Sequence, residues 1–120
     1  MSRLAAHVRT FCKGVLRDYP MLKRELAALE EEKQAASGRT GDQALRLLRL
    51  EERWRQVRFY VQAVEDLLAC LEEEKRRLVE LHFFGGLPPW RVAQELGTSE
   101  STFYRGEKEA LALLAHRLGL

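Results

Sequence analysis

The feature that most constrains the fold is a run of apolar residues whose spacing alternates between three and four positions. A repeat of about 3.5 residues places its members along one side of an α-helix. The run predicts a helix over about residues 43–70. Its apolar side must be covered, either by other helices of the same chain or by a second chain. We call this run the apolar seam and treat it as a candidate oligomerisation surface; it consists of Leu47, Leu50, Trp54, Val57, Val61, Val64, Leu68 and Leu71.

The residues before the seam show a similar pattern in two shorter pieces. Apolar residues spaced four, three and four positions apart predict a helix over about 3–17. Asp18-Tyr19-Pro20 interrupts this pattern. Because proline suits the first turn of a helix better than its interior, a second helix is expected over about 20–36. The glycine-containing segment 37–41 is expected to be a linker. Residues 1–71 are thus predicted to be a helical bundle or oligomerisation part, with an N-terminal helical hairpin and one long heptad-patterned helix.

The stretch from Trp90 to Arg105 has the pattern of a helix-turn-helix. Gly97 suits a left-handed turn that residues with a Cβ resist. Ser99 can cap the helix that follows by accepting a hydrogen bond from a backbone N–H. An ordinary corner between two helices would share the glycine, but five features agree with the motif together. They are Val92 paired with Leu96, the small Ala93, Gly97, Ser99 and the bulky Phe103.

One further helix is expected before this motif. Glu72-Glu73-Glu74 suits the positive end of a helix, and Gly85-Gly86 would end it. Pro88-Pro89 then opens the first helix of the motif, and the second runs from Glu100 to about Leu118. No glycine or proline marks a break near Leu71, so one helix continuing from the seam is also compatible with the sequence. Residues 72–120 are predicted to be a helix-turn-helix DNA-binding domain.

The second helix of the motif predicts the DNA-contacting residues. At about 100° per residue, Phe103, Ala110 and Leu114 point inward, and the opposite side is polar. The N-terminal part of such a helix lies in the major groove, where hydroxyl, amide and cationic side chains reach bases or phosphates. The candidate DNA-binding residues are Arg91, Ser99, Glu100, Ser101, Thr102, Tyr104, Arg105 and Lys108. Further candidates for phosphate contacts are Lys75, Arg76 and Arg77, whose alternative is a solvated basic surface.

Two residues of this helix depart from the usual pattern. Gly106 is expected to cost the helix roughly 1 kcal/mol relative to alanine. Glu107 lies toward the packed side and needs a basic partner or an exposed rim.

The distribution of charge limits what this domain can do alone. The net charge of the chain is +2, and residues 73–120 carry seven basic and seven acidic residues. A DNA-binding module without net positive charge gains little from long-range electrostatics. Binding by a single copy is therefore expected to be weak, which favours a homodimer or a partner protein.

Other classes of protein fit the sequence poorly. His7, His82 and His116 lack the spacing of metal ligands, and there is no glycine-rich phosphate loop. Cys12 and Cys70 form no C-x-x-C pair and are expected to be reduced thiols. We expect no catalytic residue, no metal and no cofactor. No apolar run approaches the roughly 20 residues of a membrane span. There is also no segment like a signal peptide, so a soluble cytoplasmic protein without membrane association is expected.

Two stretches resemble sigma-70 region 4. Leu71 to Leu87 resembles its first helix, and Val92 to Phe103, followed by Ala110, Leu111 and Leu114, resembles the helix-turn-helix after it. The resemblance spans about residues 71–118. It implies an all-α fold whose C-terminal, sigma-region-4-like helix-turn-helix binds DNA.

A narrower resemblance is to phage and prophage transcriptional regulators of the RinA and ArpU type. It rests on Asp18 to Lys23, on Pro89-Trp90 and on Ser101 to Arg105. It implies an activator of late phage operons that binds double-stranded promoter DNA with RNA polymerase as a partner. Nothing in the chain resembles the sigma-factor region that melts DNA, so a full sigma factor is not implied.

Two other functions compete with this hypothesis. One is a small-terminase-like DNA-packaging protein, which also joins a helix-turn-helix to an oligomerising helical part. The other is a helical interaction module without DNA binding, acting only through the apolar seam.

Overall fold

The computed structural model describes residues 4–36 and 43–120, which form five helices and no strand. The bounds of the helices are α1 Ala6–Ala36, α2 Gln43–Cys70, α3 Glu73–Val79, α4 Pro89–Leu96 and α5 Glu100–Arg117. The residues Glu80–Phe84 continue α3 as a π-helical turn. The all-α class expected from the sequence is confirmed. The expected linker at 37–41 lies outside the described residues.

Helix α1 is continuous through Pro20, so the predicted break between residues 17 and 20 is wrong. A proline inside a helix costs about 3 kcal/mol, because it has no N–H to donate and its ring crowds the preceding turn. Burial beside it offsets this cost. Leu16 is fully buried and Tyr19 is nearly so, and fully burying a side chain such as leucine contributes roughly 1.5–3 kcal/mol. Tyr19 also stacks on Phe84 with 5.0 Å between ring centroids, a contact that a break would displace.

Helices α1 and α2 form a long antiparallel hairpin. Near the middle of the molecule the Tyr19 hydroxyl donates to the Glu65 carboxylate at 3.3 Å. Farther out, Nε of Arg53 donates to Glu25 at 2.7 Å. This hairpin gives the molecule its elongated shape of 59 × 29 × 21 Å. None of the described helices is long and apolar enough to cross a membrane.

The centre of the apolar seam packs within the chain. Val57, Val61 and Val64 are buried, and α1 covers this part of α2. In this structure, these three residues are therefore covered within one chain. The other members before Leu71 are only partly buried: Leu47, Leu50, Trp54 and Leu68.

Helix α2 ends at Cys70, and a new helix begins at Glu73. Glu72 lies between them in an extended conformation, with φ −60° and ψ 153°. Glu73 and Glu74 occupy the first turn of α3, where carboxylates favour the positive helix end. The break coincides with the predicted boundary between residues 71 and 72. One buried cluster nevertheless crosses it, because both α1 and α2 pack against α5.

Candidate nucleic-acid interface

The turn between α4 and α5 has the geometry predicted for a helix-turn-helix. Gly97 has φ 66° and ψ 36°, the left-handed conformation that favours glycine. The Thr98 N–H donates to the carbonyl of Ala93 at 2.9 Å, which closes the end of α4. Pro89 lies in the first turn of α4 and Gly86, with φ 73°, ends the preceding segment, as expected.

Ser99 caps α5 as predicted. Its Oγ accepts a hydrogen bond from the Thr102 N–H at 3.1 Å. The two hydroxyl oxygens of Ser99 and Thr102 are 3.0 Å apart, and Nη2 of Arg105 donates to Thr102 Oγ1 at 3.3 Å. This surface chain of hydrogen bonds holds the Arg105 guanidinium over the first turn of α5. It also means that the Ser99 hydroxyl is already engaged by its own helix.

Two buried residues set the angle between α4 and α5. Ala93 is buried where the helices cross, and Phe103 is completely buried between them. Val92 is also completely buried. These residues fix the position of α5 relative to α4, so the exposed side of α5 projects from a rigid support.

The predicted DNA-binding residues of α5 lie together on its exposed side. Ser101, Tyr104, Arg105 and Lys108 are all exposed, with Glu100 in the first turn. Phe103, Ala110, Leu111 and Leu114 are buried on the opposite side. Arg91 is exposed in the first turns of α4. The structure thus brings the α5 candidates onto one surface, while their contacts with DNA stay a prediction.

Gly106 is explained by its close approach to α3. A Cβ at this position would lie 2.9 Å from Cδ1 of Leu78, which is itself buried. The glycine therefore permits α3 to pack directly against α5. The sequence indicated only its cost to the helix, because the approach of two distant segments leaves no mark in the local pattern.

Glu107 has the basic partners that the sequence required. Its carboxylate lies 3.4 Å from Nε2 of His82 and 3.9 Å from Nζ of Lys13. His82 Nδ1 is 2.7 Å from the carbonyl of Leu87, so the protonated imidazolium can donate from both nitrogens. The hydrogen bond with Glu107 raises the pKa of His82, and the same bond lowers the pKa of Glu107. This buried cluster ties α1, the π-helical turn and α5 together. The spacing of the histidines argued only against a metal site, and the sequence did not indicate this structural role of His82.

Two of the three candidate phosphate-binding cations on α3 already contact carboxylates. Nζ of Lys75 lies 2.8 Å from Glu109, and this hydrogen bond raises the pKa of Lys75. Nε of Arg76 lies 3.6 Å from Glu80, one turn along the same helix. Arg77 is exposed. DNA would have to compete with these carboxylates for Lys75 and Arg76.

Comparison with known families identifies the class of this domain. Residues 61–105 match the family described as Sigma-70, region 4. The match begins in the second half of α2, covers α3 and α4, and ends in the first turns of α5. It spans less than half of the chain. Together with the geometry of the turn, it indicates a helix-turn-helix domain of the DNA-binding, transcription-related class.

No curated protein and no solved structure matches the chain. Among the described residues, no group of three or more His, Cys, Asp or Glu side chains is placed to hold a metal ion.

Proposed function

We propose that this chain is a sequence-specific DNA-binding transcriptional regulator whose α5 reads the major groove. The observation that carries the proposal is the match of residues 61–105 to sigma-70 region 4 over a helix-turn-helix with a left-handed Gly97. Guanidinium and hydroxyl groups on the exposed side of α5 suit base edges and phosphates. In this arrangement Arg105 and Lys108 contact DNA, with Ser101, Thr102 and Tyr104 beside them.

The finer proposal is activation of late phage or prophage operons together with RNA polymerase. It is supported by the resemblance of Asp18 to Lys23 and Ser101 to Arg105 to regulators of the RinA and ArpU type. A run-off transcription assay with purified RNA polymerase tests it. Increased transcript from a template carrying the bound site is expected, and unchanged or reduced transcript would contradict activation.

We further propose that the protein binds as a homodimer, because residues 73–120 have no net charge of their own. The middle of the seam is already buried against α1, so a dimer must use its partly exposed members and their neighbours. Leu45 and Leu48 on α2 are 58% and 63% exposed and are suited to such contacts. Light scattering is expected to give the mass of a dimer. A ring of many subunits would instead support a terminase-like packaging protein.

Selection of bound fragments from a random DNA pool, followed by gel shifts, tests DNA binding itself. The wild type is expected to retard the selected fragment, and Arg105→Ala and Lys108→Ala to retard it less. Losing a base-reading arginine costs about 1–3 kcal/mol and relaxes sequence preference. A chain that binds no duplex even at low salt would contradict the proposal and favour an interaction module without DNA binding.

A further inference from the structure

The two sides of α5 border surfaces of different charge. Toward α3 lies a cleft of about 360 Å³ lined by three carboxylates and two cations, Glu72, Glu74, Glu109, Lys75 and Arg105. Toward α1 lies a second cleft of about 430 Å³, which we call the α1–α5 cleft. Its charged lining consists of one carboxylate, Glu107, and three cations, Arg9, Lys13 and Lys108. Tyr104 and Leu111 also line it. The positive side of α5 is therefore the one that faces α1.

The charge of the α1–α5 cleft is not cancelled by its one acid. Glu107 is buried and already lies within 3.4 Å of His82. Lys13 approaches it only at 3.9 Å and keeps part of its side chain exposed. Arg9 is exposed, lies one turn before Lys13 on the same side of α1, and makes no ion pair with another described residue. Arg9 and Lys108 thus remain available to an anion, and an anion would share Lys13 with Glu107.

The cleft adjoins the exposed side of α5 that is proposed to enter the major groove. Tyr104 and Lys108 belong to both surfaces, because they line the cleft and are also exposed. A helix in the major groove has a sugar-phosphate strand on either side, since the groove is about 12 Å wide. An element packed beside such a helix meets one of these strands, and here that element is the N-terminal half of α1.

We propose that Arg9 and Lys13 of α1, with Lys108 of α5, bind the phosphate backbone of DNA beside the major groove. The N-terminal helix then belongs to the DNA interface, although it lies outside the residues that match sigma-70 region 4. The inference rests on the proposed function, because it places the duplex on α5. Residues 1–40 have more basic than acidic residues. The α1 cations would therefore add positive charge to a DNA interface whose other part, residues 73–120, has no net charge.

The salt dependence of DNA binding by the full-length protein tests this proposal. Each phosphate contact contributes a slope of about 0.9 in the dependence of log K on log salt for duplex DNA. Arg9→Gln and Lys13→Gln are each expected to reduce the slope by about that amount, and to weaken a selected duplex and a mixed-sequence duplex by the same factor. Arg55→Gln, which removes an exposed arginine of α2, is the matched control and should keep the wild-type slope. Because Lys13 contacts Glu107, thermal unfolding of Lys13→Gln is followed in parallel, and Arg9→Gln gives the test free of that contact.

The outcomes separate this proposal from the proposed function. A lower slope for Arg9→Gln and Lys13→Gln, with Arg55→Gln unchanged, supports the phosphate site. Wild-type slopes for both α1 variants, while Arg105→Ala still loses the selected duplex, would overturn the phosphate site and leave the regulator in place. Failure of the wild type to bind either duplex would overturn both.

Discussion

At the scale of single residues, the position of α5 depends on contacts that reach it from elsewhere in the chain. Gly106 and Glu107 are adjacent in sequence, and they contact different parts of the structure. Gly106 makes room for Leu78 of α3, whereas Glu107 is bound by His82 and Lys13. Substitutions at these positions and at their partners can separate the effect of the contacts from the intrinsic helix propensity of each residue.

Gly106→Ala is expected to change stability by different amounts in two backgrounds. Alanine favours a helix by about 1 kcal/mol over glycine, but its Cβ would lie 2.9 Å from Leu78 Cδ1 in the wild type. Leu78→Val removes that methyl group. Gly106→Ala should therefore be more favourable by about 1 kcal/mol in the Leu78→Val background than in the wild type, as measured by urea unfolding. Equal effects in both backgrounds would show that the two side chains are not coupled.

The His82–Glu107 contact predicts how stability changes with pH. The pKa of His82 is raised in the folded protein above its ordinary 6.5, because Glu107 stabilises the imidazolium. Its contribution is fully present below the unfolded pKa and is lost as the pH rises through the folded pKa. The free energy of unfolding should therefore fall above about pH 6.5, and fall less in His82→Gln. Lys13 and Arg17 also face the cluster, so the contribution of Glu107 is isolated by an NMR titration of His82 in Glu107→Gln. This variant should have a lower His82 pKa than the wild type.

The lowered pKa of Glu107 acts in a separate window. Its contribution is present above the ordinary pKa of 4.5 and is lost as the pH falls through the folded value. A wild-type profile in His82→Gln would contradict the assigned role of this histidine.

At the scale of helices, the continuity of α1 through Pro20 is the feature with the plainest consequence. Pro20→Ala restores an N–H that can donate to the carbonyl of Leu16, and removes the ring from a helix interior. It is expected to stabilise the protein, by up to about 3 kcal/mol. Thermal unfolding measures the gain. A loss of stability would indicate that the chain prefers the break that its local sequence suggests.

The helices themselves show what the sequence could and could not specify. Periodicity and terminal residues were sufficient for α2, α4 and α5, because Gly97, Ser99 and Pro89 act within their own turns. They failed at Pro20, where burial of Leu16 and Tyr19 outweighs a local preference. They did not indicate the packing of Gly106 against α3 or the α1–α5 cleft, since both arise from segments that are distant along the chain. Local signals therefore predicted the motif, and tertiary packing decided its surroundings.

At the scale of the whole molecule, the hairpin and the helix-turn-helix share one core. The buried cluster includes Val61 of α2, Phe103 of α5 and Leu16 of α1 without interruption. Elements that share a core are expected to unfold together. The predicted division into residues 1–71 and 72–120 is therefore not expected to correspond to two independently folding units, and the division itself remains a proposal.

Calorimetry is expected to show a single unfolding transition, with equal calorimetric and van't Hoff enthalpies. Val61→Ala, in the hairpin, should lower the midpoint of that whole transition, because it removes two buried methyl groups, which contribute about 0.8 kcal/mol each, and leaves a cavity. Amide hydrogens of α5 should lose protection in the same variant. Two transitions, of which Val61→Ala moved only one, would establish independent domains instead.

The separation of the two sides of α5 has a consequence for how this protein can change. Ser101, Lys108 and Ala112 are exposed, whereas Phe103, Ala110 and Leu114 hold the helix in place. No residue belongs to both sets, so substitutions at these three exposed positions are not expected to disturb the packing of α5. Under the proposed function, a library confined to the exposed positions of this helix is a suitable starting point for selecting variants with new operators.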